Sequence, residues 1–170
     1  SSDVCSSDLL VFCVIVVRAQ DKVNKHQFSV EAGVGGNGVA SMDLGLRYQI
    51  NFHPNIAWDV LTVKGISSFD NFPTDDLLVE AMSGLRLTSP SLNGLKAYAT
   101  GKVGYGNYCT STDESGFVFE VGGGLYLTKH FYVGYAFNQI SYDTDVRVGK
   151  KNETVSVKGK YHACRIGFTF

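Results

Sequence analysis

The chain has 170 residues, with 15 Lys and Arg against 16 Asp and Glu, which bounds it to one domain, large enough to close a sheet but too short for two ordinary cores. Nineteen Gly, eleven Phe and nine Tyr against three Pro and two Met favour strands and tight turns over packed helices. A net charge of −1 offers no basic face for nucleic acid, and none is expected as a partner.

In chain order, the first element is an unbroken apolar run from Leu9 to Val17, too short to span a bilayer as a helix. Val17-Arg18-Ala19 resembles a small-residue cleavage site, so residues 1–19 are expected to be a signal peptide and Gln20 the mature start. Ser1 to Asp8 has no basic residue and no initiator Met, so a truncated leader or an artefactual first segment is the expectation here. Cys5 and Cys13 fall in this leader, leaving Cys109 and Cys164 for the mature chain. No metal set or disulfide framework follows from two cysteines, and no cofactor is expected. Phe12 before Cys13 is a poor fit to a lipoprotein cleavage site.

From Gln27 onward a period-two pattern recurs, interrupted by turn residues, and it predicts eight strands. The first, Gln27 to Gly35, sets Phe28, Val30, Ala32 and Val34 against Gln27, Ser29, Glu31 and Gly33. The second, Val39 to Phe52, carries the clearest signal: Ala40, Met42, Leu44, Leu46, Tyr48, Ile50 and Phe52 alternate without error with polar residues or Gly. Seven apolar side chains on one face suit a tilted membrane strand of about 9–11 residues better than a soluble strand of about 5–6. The third, from Ile56 to about Lys64, opens with Ile56, Trp58 and Val60 opposite Asp59, then places Leu61 and Val63 on the other face, the mark of a bulge. The remaining strands are expected over Asp76 to Thr88, Leu95 to Tyr108, Gly116 to Thr128, His130 to Ile140 and Val155 to Phe170.

An even number of antiparallel strands joined by hairpins can close on itself and remove its unpaired edges. The expected fold class is therefore all-β, an eight-stranded antiparallel up-and-down transmembrane β-barrel spanning residues 20–170. Phe52 to Asn55, Ser89 to Gly94 and Thr128-Lys129 are short connections; Gly65 to Asp75, Tyr108 to Ser115 and Ser141 to Thr154 are longer, and only Gly35 to Gly38 breaks the asymmetry. Short periplasmic turns and longer external loops have this pattern. With both termini on the short-turn side, Phe28, Phe52, Trp58, Phe131, Phe168 and Phe170 fall at one end of the wall as a candidate aromatic girdle.

The polar faces collect Glu31, Asp43, Asp59, Glu80 and Glu120 with Arg47, Arg86, Lys96, Lys102 and Arg165, five of each sign. An eight-stranded barrel is just wide enough for side chains to fill it, so these charges are expected to pair across a plugged lumen. The alternative is the inverse arrangement, a soluble lipocalin-like barrel with an apolar interior. Periodicity alone does not say which face is inside.

The ending Cys164-Arg165-Ile166-Gly167-Phe168-Thr169-Phe170, with Ile166, Phe168 and Phe170 alternating up to a terminal Phe, resembles the C-terminal assembly signal of small outer-membrane barrels. With the strand count, it makes the chain similar to the OmpX and OmpA-type transmembrane domains. The resemblance implies residence in a Gram-negative outer membrane, contact with its lipid, insertion by the barrel-assembly machinery and a monomer. His162 and Cys164 depart from the pattern by lying on the nominal lipid face.

Other motifs carry less. Gly33-Val34-Gly35-Gly36-Asn37-Gly38 matches a dinucleotide fingerprint in letters, but a strand rather than a helix follows, so Asn37-Gly38 is expected to be a hairpin turn with positive φ. Asn152-Glu153-Thr154 is an incidental glycosylation match. Asp143, Asp145 and Glu153, and the group Asp70, Asp75 and Asp76, have the composition of a calcium loop, though solvated charge is the commoner meaning. His26, His53, His130 and His162 share no metal-ligand spacing. A lipid A-modifying enzyme is the rival function, but Ser156 and His162 on one strand stand roughly 20 Å apart, and no catalytic set is legible. A third class is contact with a surface ligand through loops bearing Phe69, Phe72, Tyr142, Lys150 and Lys151.

Overall fold

In the computed structural model, residues 24–38, 40–68, 77–109, 115–148 and 151–170 are described, with side chains described for all of these except 143–148 and 151–155. The alternating segments form eight strands: β1 (His26–Gly36), β2 (Ala40–His53), β3 (Ile56–Ser68), β4 (Leu77–Thr88), β5 (Lys96–Tyr108), β6 (Ser115–Tyr126), β7 (Phe131–Val148) and β8 (Lys151–Thr169). Each pairs antiparallel with the next, and β8 returns to β1 from Ser29↔Thr169 to Gly36↔His162, so the barrel is closed. Closure leaves no edge around the wall.

The two faces are the reverse of a water-soluble barrel. Phe28, Leu44, Leu46 and Phe52 on β1 and β2 are each 60% or more exposed on the outside, whereas Glu31, Asp43, Arg47 and Asp59 are 3% exposed or less inside. Period-two geometry ties the two facts together, because a strand that turns Asp43 and Arg47 inward must turn Leu44 and Leu46 outward.

The bulge in β3 keeps this segregation intact. Register shifts fall between Asp59 and Thr62 against β4, and between Tyr48 and Gln49 against β2. Ile56 and Trp58 face out before the shift and Leu61 and Val63 after it, while Thr62 and Lys64 turn inward. One extra residue flips the phase of the strand.

Several sequence expectations change. The strand β3 runs on to Ser68, into the segment expected to begin a loop at Gly65. Within the segment Ser141 to Thr154, expected as a loop, residues 141–148 and 151–154 are strand: β7 and β8 pair without interruption from Phe131↔Phe168 to Val148↔Lys151. Beyond Tyr142 on β7 and before His162 on β8, these strands pair with each other alone, as a two-stranded ribbon standing above the wall. The row that continues from Ser141 is Asp143, Asp145 and Arg147, which lacks the large apolar residues of the lipid-facing wall. Above that wall no such residues are needed.

The positive-φ asparagine also lies elsewhere. At the first hairpin Gly38 carries φ 87° and Asn37 does not share a positive φ; Asn93 (53°) and Gly94 (88°) do. With the Leu92↔Leu95 bridge around them, these two form the Asn-Gly turn of a tight hairpin. The expected leader over residues 1–19, the acidic group Asp70, Asp75 and Asp76, and Phe69, Phe72 and Lys150 lie outside the described residues, as do the side chains of Asp143, Asp145, Lys151 and Glu153.

Candidate functional site

The lumen has three layers, and each arises from which residue each strand turns inward at a given height. At the short-turn end lie Tyr98 of β5, Tyr126 of β6 and Tyr132 of β7, packed edge-on or tilted with ring centroids 5.1–5.6 Å apart. Gly167 makes room for Tyr132, since a Cβ there would come within 2.0 Å of that ring. Gly134 does the same for the Tyr98 hydroxyl.

Above the tyrosines is a first charge cluster. Arg47 Nη1 donates to Glu31 Oε1 at 2.6 Å and Nη2 donates to Ser29 at 2.9 Å, while the Tyr132 hydroxyl donates to the same Glu31 oxygen at 2.7 Å. Asp59 stands between the two arginines, 3.7 Å from Nε of Arg47 and of Arg86. The Arg86 guanidinium lies 4.4 Å over the Tyr98 ring and donates to Tyr126 at 3.1 Å. The aromatic layer therefore compensates a cation that its carboxylate reaches only at long range.

The second cluster centres on Glu120. Its carboxylate is met by Lys64 at 2.7 Å, Lys102 at 3.0 Å and Arg165 at 2.9 Å. Lys64 also reaches Glu80 at 2.9 Å, which accepts from Asn138 at 2.8 Å. Arg165 Nε lies 3.1 Å from Asp43, which accepts from Tyr161 at 3.0 Å. A carboxylate and its cations withdrawn from water are tolerable only when so paired, because an unpartnered buried charge costs several kcal/mol.

At the long-connection end the lining turns apolar. Ile66, Leu78, Met82, Val118, Ile140, Tyr161 and Ala163 form one buried cluster, with Tyr108 and Tyr142 packed against it. Tyr108 and Tyr142 meet edge to face at 5.6 Å. A crevice beside Glu31, Arg86 and Lys102 holds about 10 Å³, no more than one water needs.

The structure thus brings together nine of the ten charged residues singled out in the sequence, and places the tenth, Lys96, half-buried at the rim where β5 begins. Lys64 was missed. Its signal is the bulge, which moves it from the apparent outer face to the centre of the network.

On the outside, Phe28, Phe52, Trp58, Phe168 and Phe170 are exposed and Phe131 is half-buried, all at the short-turn end. Phe28 stacks on Tyr48 at 4.9 Å, and Phe168 meets Phe170 edge to face at 5.1 Å. Tyr48, which also hydrogen-bonds His26, belongs with them. Ile166, Phe168 and Phe170 all point outward, and the Phe170 N–H donates to Phe28 O, tying the chain's end to β1. His162, on the outer face, bonds the Tyr135 hydroxyl through Nδ1 and packs on Phe137 at 4.9 Å, so one of its two ring nitrogens is paired within an apolar surface. Cys164 is exposed. Among the described residues no group of His, Cys, Asp and Glu could hold a metal.

No protein-family model matches the chain, and no curated protein matches it. Among solved structures it is similar to Neisserial surface protein A (NspA), with 10% identity and a TM-score of 0.57 over 86% of this chain and 98% of that one. It is also similar to the N-terminal β-barrel domain of Pseudomonas aeruginosa OprF (14% identity, TM-score 0.49, 85% of this chain and 97% of that one) and to a de novo designed transmembrane β-barrel (12%, 0.49, 88% and 100%). At 10% identity the likeness to NspA is one of fold, and the chain shares with it the closed eight-stranded antiparallel barrel.

Proposed function

We propose that the protein is a monomeric outer-membrane barrel whose lumen is plugged by its own side chains, and that it serves envelope structure or surface contact rather than catalysis or solute flow. The observation that carries this reading is the inversion of the wall: paired charges inside, and large apolar side chains such as Leu44 and Leu46 more than 60% exposed outside. In water that outer face would be an aggregation surface far beyond a normal apolar patch; in hydrocarbon it is the required one. The short turns and both termini then lie on the periplasmic side, the β7–β8 ribbon and the longer connections lie outside, and the wall contacts lipid. Surface contact falls to these outer segments because loops on a rigid scaffold carry function more often than the wall. Insertion through the barrel-assembly machinery, after cleavage of a leader, belongs to the same proposal.

A sealed lumen predicts no steady single-channel current when the folded protein is fused into planar bilayers. Large, stable openings would overturn the plugged-lumen reading. Release or transfer of acyl chains from lipid A by the folded protein in detergent would replace it with the enzymatic one.

A further inference from the structure

The outer wall is apolar over most of its height, but β7 and β8 depart from this near the long-connection end. Lys158 and Lys160 both point outward and are exposed. Two residues apart on one strand, they stand about 7 Å from each other. Opposite them on β7 are Ser141 and Gln139, in the pairs Ser141↔Lys158 and Gln139↔Lys160. The next strand supplies Phe117 and Phe119, which pair with Ser141 and Gln139 and are 55% and 40% exposed. Among the residues whose side chains are described, these two lysines are the only cations on the outward face at this end of the barrel; Lys25 and Lys129 lie at the other. No ion pair joins either lysine to a described side chain.

Directly below, the same outward face of β8 continues through His162, packed on Phe137, to Cys164 and Ile166, which pair with Tyr135 and Val133 of β7. A basic, hydrogen-bonding strip thus sits above apolar wall. We propose that β7 and β8 form a site for one anionic lipid, its phosphate on Lys158 and Lys160 beside Gln139 and Ser141, and its acyl chains along the apolar wall below. Lysine suits the role, because its stem lies along apolar surface while its ammonium stays at the interface. The proposal rests on the membrane reading above and adds a headgroup chemistry and a place to it.

The test is native mass spectrometry of the detergent-folded barrel with dioleoyl phosphatidic acid, dioleoyl phosphatidylcholine or inorganic phosphate as probes. The wild-type chain is expected to retain phosphatidic acid in preference to phosphatidylcholine. Each lysine should contribute about fivefold to that preference, so the Lys158→Gln/Lys160→Gln double variant should lose roughly 25-fold. Lys158→Arg/Lys160→Arg should keep it, and Lys129→Gln at the other end should leave it unchanged. An unchanged preference in the Gln variant, or an equal loss in Lys129→Gln, would overturn the site. So would displacement of the lipid by equimolar inorganic phosphate, which would show a free-anion site. If the wild-type chain does not insert into phosphatidylcholine vesicles, the membrane reading itself fails and takes the site with it. Insertion without headgroup preference overturns the lipid site alone.

Discussion

Four strands each contribute neighbouring inward residues to two different layers of the lumen: Ile66 and Lys64 from β3, Leu78 and Glu80 from β4, Val118 and Glu120 from β6, Ile140 and Asn138 from β7. Each pair is two residues apart, so a step of about 7 Å along a strand takes the interior from a greasy seal to a dense ion-pair network. Both layers exclude water, but by different physics. The apolar layer depends on filled volume, and each side chain can be lost for the cost of its cavity. The charged layer depends on every charge keeping its partner, so a single loss strands several others. The lesson is that a sealed barrel can be tolerant at its mouth and brittle at its middle.

The comparison breaks most sharply at Glu120. Glu120→Ala leaves Lys64, Lys102 and Arg165 without their shared carboxylate and should destabilise the barrel by about 3–5 kcal/mol, read by urea unfolding in lipid vesicles. Removing both signs at once should cost much less: Lys102→Met with Glu120→Leu is expected to recover most of that loss, because Lys64 keeps Glu80 and Arg165 keeps Asp43, and buried ion pairs often yield to apolar isosteres at little net cost. A double variant as unstable as the single one would contradict the pairing account.

In the apolar layer, Met82→Ala should cost about 2–4 kcal/mol through its cavity, by the same unfolding assay. The outer wall supplies the contrast from the other side. Leu46→Arg, at an exposed wall position, should cost about 2–4 kcal/mol in vesicles and almost nothing if the face met water. The smallest effect is expected at the turn: Gly94→Ala, at φ 88°, should cost about 1 kcal/mol, with no change in barrel mobility.

How much of this could be read from the sequence depended on where the two-residue period was clean. On β2, alternation of seven apolar residues with Asp43, Arg47 and Gln49 made both faces legible, and closure followed from an even strand count. Lys64 was hidden because the bulge reverses the period after Asp59, and only pairing with β4 reveals the new phase. The apolar seal was visible in letters, as Leu78, Met82 and Val118 on otherwise polar faces, but its meaning depends on β3, β4, β6, β7 and β8 converging. The ribbon of β7 and β8 was read as a loop because strand above the wall has no lipid to select a greasy face. Asn93-Gly94 and Asn37-Gly38 look alike in sequence, and only the first is enclosed by a Leu92↔Leu95 bridge that fixes both φ angles positive.

The most direct test of the central claim, a closed barrel with charges inside and lipid outside, is electrophoretic mobility of the mature chain folded into phosphatidylcholine vesicles, run with and without boiling beside circular dichroism. The account predicts a strand spectrum and a band that shifts only after boiling. A chain that folds as a monodisperse protein in plain buffer, with no boiling-dependent shift, would mean that the charged face is outside and would contradict it.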